Sequence, residues 1–130
     1  MKKFLAAFIT CFLISNVLTI VWYTATADAN SVPFKREQPD YLLLQLNHIV
    51  FAFILAYIYP IGYKGGSLLK EGFCFGVLMG ILMFLPTGLV VRGIWEVPAN
   101  LMFVFNTIFH ALAGGVCGVG IAFTYGKKTE

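Results

Sequence analysis

The chain has 130 residues, 59% of them hydrophobic and only 12% charged, with a formal net charge of +3 and a mean hydropathy of +0.84. A soluble domain carries roughly 25% charged residues, so an ordinary water-soluble domain is excluded. Every charge lies in a short connecting segment or at a chain end, so the net charge is a property of the loops and says nothing about nucleic acid.

Four stretches, residues 4–27, 41–63, 72–91 and 97–126, contain no Asp, Glu, Lys or Arg. About 20 apolar residues in a helix cross a hydrocarbon core of roughly 30 Å. In lipid the backbone must satisfy its own hydrogen bonds, which a helix does within one segment. The expectation is an all-α integral membrane protein, a single transmembrane domain over residues 1–130. Its helices are placed at about 4–25, 41–60, 68–91 and 98–124.

The first span follows Lys2-Lys3 and ends in Trp22-Tyr23, which suit an interfacial aromatic belt. Ala25-Thr26-Ala27 resembles a secretory cleavage site. A signal core is usually about 7–15 residues, shorter than this run, so a retained first helix is expected. Along it Ala7, Cys11, Ser15 and Thr19 recur at four-residue spacing, with Asn16 beside them. The segment that follows holds Pro33, Lys35-Arg36-Glu37 and Pro39, and Asp40 suits the N-cap of helix two.

Helix two carries Gln45, Asn47 and His48, then Ala52 and Ala56, and is expected to end near Pro60 among Tyr57, Tyr59 and Tyr63. A turn through Gly65-Gly66-Ser67 leads to helix three, with Ser67 as its cap. Helix three carries Gly72, Gly76, Gly80 and Gly88. Pro86 removes an N–H and frees the Leu82 carbonyl, so a break is expected there, with Thr87 beside it. Arg92 and Glu96 bracket Trp95, and Pro98 suits the first turn of helix four. That helix sets Asn106 and His110 in line with Gly114, Gly118 and Ala122.

Residues four apart share a helix face, and small ones let backbones approach closely. Gly72, Gly76, Gly80, Gly114 and Gly118 are therefore the expected packing positions. With small residues on all four helices, a stripe left over for association between subunits is also expected. Polar side chains inside a membrane face the bundle interior or a wet cavity. His110, Asn106, His48, Asn47, Gln45, Asn16 and Thr87 are thus the candidate polar core or ligand site. His110 is expected to point inward and to find a partner among Asn16, Gln45, Asn47, His48 and Thr87.

Catalytic residues and a metal site are not expected. The single cysteines Cys11, Cys74 and Cys117 form no CxxC pair, and no carboxylate completes a shell around either histidine. Lys64-Gly65-Gly66-Ser67 is too short for a phosphate loop. His48 falls roughly 10 Å and His110 roughly 14–20 Å below the membrane surface, an offset that disfavours a haem clamped by both.

Placing both chain ends on one side gathers Lys2, Lys3, Lys64, Lys70, Lys127 and Lys128 there, against Lys35, Arg36 and Arg92 opposite. Basic loops stay cytoplasmic. Short loops make neighbouring helices antiparallel, so an up-down-up-down bundle with both termini cytoplasmic is expected.

Val21-Trp22-Tyr23, Pro86-Thr87, Trp95-Glu96 and the Asn106 and His110 positions resemble a family of small four-span bacterial membrane proteins, a domain of unknown function. The resemblance implies four spans in a bacterial inner membrane and no particular activity. The leading functional expectation is a non-enzymatic structural or accessory protein. It would associate with itself or with a larger membrane complex, without nucleic acid and without a cofactor. Two alternatives stand beside it. One is a small-solute or ion conduit lined by Gln45, Asn47, His48, Asn106 and His110; the other carries haem or a quinone between helices two and four.

Overall fold

The computed structural model describes residues 1–30, 38–97 and 100–126. Pro33, Lys35, Arg36, Glu37, Pro98, Lys127 and Lys128 lie outside the described residues. The described chain forms four helices and no strand: α1 (Lys2–Ala25), α2 (Tyr41–Gly62), α3 (Leu68–Ile94) and α4 (Leu101–Tyr125). Each is long and apolar enough to cross a membrane.

Local chemistry sets where the helices begin. The Asp40 carboxylate accepts from the Leu43 N–H at 3.1 Å, and Ser67 Oγ accepts from the Lys70 N–H. Asn100 does the same for α4 through the Phe103 N–H at 3.1 Å, so that helix starts at Leu101. The turn between α2 and α3 is held by Glu71, whose carboxylate accepts from the N–H groups of Lys64 and Gly66 at 2.9 and 2.7 Å. Gly65 supplies the positive φ, +94°, that this turn requires.

Both prolines sit inside helices. α3 runs unbroken through Pro86 to Ile94, and α2 passes Pro60 and ends at Gly62. The helix expected over 68–91 thus continues past Pro86, which removes one N–H and frees the Leu82 carbonyl without ending it. At Pro60 the loss is repaired from outside the helix. Pro60 cannot donate to Ala56, four residues earlier, and the Tyr125 hydroxyl of α4 donates to the Ala56 carbonyl instead, at 2.9 Å.

α3 and α4 meet through glycine. A methyl group on Gly72 would strike Gly118 and Ala122, one on Gly76 would strike Gly114, and one on Gly80 would strike the His110 carbonyl. Residue numbers rise along one helix as they fall along the other. α1 packs on α4 through Cys11 and Cys117, whose Sγ lies 3.9 Å from the Cys11 carbonyl oxygen. α2 lies on α1, with Phe4 edge-on to Phe53 at 5.5 Å, and reaches α3 through Tyr59 on Phe75, also at 5.5 Å.

Ala7, Cys11, Ala52, Leu55, Ala56, Cys117, Ile121 and Ala122 have no exposed surface and form the core. Ser15, Gly72, Gly76, Gly80, Gly114 and Gly118 are buried too. The small-residue stripes are therefore occupied within one chain. Among the described residues the helices use these faces on one another.

Candidate functional site

Where the end of α1 meets the start of α4, polar side chains close a network around Asn106. Its Oδ1 accepts from the Trp22 indole N–H at 2.7 Å, and its Nδ2 donates to Asn30 Oδ1 at 2.7 Å. Asn30 Nδ2 donates to Thr26 Oγ1 at 2.6 Å, and Thr26 donates to the Trp22 carbonyl at 2.7 Å. The Trp22 ring stacks on Phe109 at 4.7 Å, nearly parallel. Sequence favours this arrangement: Thr26, the residue that ends α1, comes one turn after Trp22. Asn106 offers both an acceptor and a donor, so a single side chain ties α1, the segment after it and α4 together.

His110 lies one turn along α4 and is half-buried. Its Nε2 is 3.2 Å from the Tyr23 hydroxyl, and its ring stacks on Phe84 of α3 at 4.3 Å. It therefore finds its partner on α1, but the partner is none of the five expected. Tyr23 reaches it because residues 22–23 and 106–110 lie at the same end of the bundle.

The remaining candidates are dispersed. Gln45 Nε2 donates to Asn16 Oδ1 at 2.9 Å, pinning α2 to α1 on an exposed flank. His48 is buried on the inner face of α2, whereas Asn47 beside it is exposed. Thr87 is exposed on α3. Among the described residues the seven candidates thus form separate pairs and single positions, not one connected core. The sequence places Trp22 and Tyr23 at the interface and Thr26 only in a cleavage-site pattern, and it marks no role for Asn30. The available signal was depth: the last turn of α1 must lie level with the first turns of α4.

The same end holds Arg92. Its guanidinium lies 3.8 Å over the Phe103 ring, and its Nη1 donates to the Gly88 carbonyl at 3.2 Å. At the other end Tyr59, Tyr63, Phe75 and Tyr125 form an aromatic cluster. An open apolar groove of about 660 Å³ runs beside it between Phe4, Phe53, Tyr57 and Ile61. Chemically the spans present neutral amides, hydroxyls and rings suited to holding helices. No described group of three His, Cys, Asp or Glu side chains could hold a metal ion.

No family model, curated protein or solved structure matches the chain. The likeness to a four-span bacterial family therefore rests on the residues quoted for it alone, and the chain is described by what its own geometry establishes: a four-helix bundle with four candidate transmembrane helices.

Proposed function

We propose that this is a non-enzymatic, multi-pass membrane protein that acts as a structural or accessory subunit. It crosses a bacterial inner membrane up-down-up-down with both termini cytoplasmic, and works in association with itself or with a larger membrane complex. The observation that carries the reading is how the intramembrane polar groups are used. Asn106 joins Trp22 and Asn30, Gln45 joins Asn16, Tyr125 joins Ala56 and His110 joins Tyr23. Each bond fastens one helix to another or to its flanking segment, and none leaves a reactive group facing a cleft.

A conduit needs polar side chains through the whole bilayer. Towards the chain termini the interior is mostly apolar, with Ala7, Cys11, Leu55, Ile121 and Ala122 fully buried around the buried Tyr59 ring and its unpaired hydroxyl. A haem clamped by two histidines needs a free ring nitrogen on each, and His110 Nε2 is engaged by the Tyr23 hydroxyl while its ring stacks on Phe84.

Purified protein in proteoliposomes tests this reading. The expected result is no solute or proton flux above lipid alone, no Soret band, and a particle larger than one chain in mild detergent. In a cysteine-free background, a cysteine placed at Lys64 should react only from the cytoplasmic side. Flux that disappears in His110→Ala, or a haem spectrum, would replace the accessory reading with one of the others.

A further inference from the structure

Arg92 stands in the last turn of α3 and lies across the face of Phe103. Gly88 permits this approach, since a Cβ there would collide with the Phe103 ring. A guanidinium has five N–H donors. Here one of them goes to the Gly88 carbonyl, and Nε is buried with no partner. Among the described residues Arg92 has no carboxylate partner. The cation is held in place by a ring and a carbonyl, with most of its donors unused.

Next to it α3 carries an apolar groove of about 250 Å³, lined by Met83, Phe84, Thr87, Gly88 and Val91 and ending at Arg92. From Met83 to Arg92 the helix rises about 14 Å. Half of a hydrocarbon core is about 15 Å. The groove is thus one leaflet deep, with the cation at the end where head groups lie.

We propose that this groove is a binding site for one anionic phospholipid, its phosphate on Arg92 and an acyl chain along α3. Guanidinium and phosphate match in charge and in fork geometry, and such charge-assisted bonds are about twice as strong as neutral ones. A zwitterionic head group carries its own ammonium beside the phosphate, which offsets the attraction. The groove walls supply the apolar contact that a free phosphate cannot use.

Native mass spectrometry of the detergent-purified, delipidated protein tests the site with three probes: phosphatidylglycerol, phosphatidylcholine of the same chains, and inorganic phosphate. The expected result is a preference of about tenfold for phosphatidylglycerol over phosphatidylcholine, the scale of one charged hydrogen bond. Arg92→Gln should reduce phosphatidylglycerol retention to the phosphatidylcholine level. Val91→Trp, which fills the groove and leaves the cation, should reduce it as well. Inorganic phosphate should neither bind measurably nor displace the lipid. Equal retention of both lipids by the wild type, or full phosphatidylglycerol retention by Arg92→Gln, overturns the proposal. Displacement by inorganic phosphate would make this a free-anion site and overturn the lipid assignment. If circular dichroism shows that Arg92→Gln does not fold, unchanged retention in Val91→Trp overturns it alone.

Discussion

The α3–α4 seam and helix α2 represent two ways of packing in a membrane. Along the seam, glycines bring one backbone against the other, and Gly72, Gly76 and Gly80 each face backbone atoms of α4. α2 presents Leu, Ile and Phe at half of its positions, and its residues from Tyr41 to Asn47 are all exposed. Lipid tails are as apolar as leucine, so apolar area alone gives helices little reason to associate. Close approach, with its dispersion and Cα–H···O contacts, supplies the seam's attraction. α2 cannot come so close. It is held instead by Ala52 and Ala56, by its aromatic contacts and by two hydrogen bonds, Gln45 to Asn16 and Tyr125 to Ala56.

The comparison is broken most severely at the seam. Gly76→Leu should destabilise the fold by upward of about 3 kcal/mol, because the obstacle is a backbone carbonyl that cannot rotate away. Thermal unfolding in detergent followed by circular dichroism reads this, and a variant that melts with the wild type would refute backbone contact. Asn106→Leu comes next, at about 1–2 kcal/mol, since it leaves the Trp22 indole N–H without its acceptor. The same melt, together with a change in Trp22 fluorescence, would report the loss.

Tyr125→Phe should cost about 1 kcal/mol by leaving the Ala56 carbonyl unpaired. Pro60→Ala restores a backbone donor to that carbonyl, so the double variant should recover most of the loss. Strict additivity in that cycle would separate Tyr125 from the proline. The smallest effect belongs to α2 itself. Gln45→Leu should lower stability by about 0.6 kcal/mol, the average for a hydrogen bond between membrane helices. Leu46→Ala, next to it and exposed, should change stability by less than about 0.5 kcal/mol. An effect of Leu46→Ala as large as that of Asn106→Leu would reveal a partner covering α2.

The helices were legible because transfer of apolar residues into lipid is a nearly additive property of each segment. Asp40 and Ser67 were legible as caps because a cap is a contact over three residues. The site was legible only in residue type. Asn106 and His110 stand out as polar groups in an apolar span, yet nothing local to either of them names Trp22 or Tyr23 as the partner. Pro60 announces an unpaired carbonyl at Ala56, but not that Tyr125, on another helix, supplies the donor.

By itself, then, the sequence determined four apolar helices, the caps Asp40 and Ser67 with the turn between α2 and α3, and which faces are small enough to meet. Hydrophobicity, capping and periodicity are written in neighbouring residues. Tertiary structure alone decided that glycine meets glycine within one chain, that the polar side chains divide into separate pairs, and that Arg92 lies on Phe103 at the end of a groove. These depend on which helix stands beside which and at what height, and residues about 80 positions apart, such as Trp22 and Asn106, become neighbours only when the bundle closes.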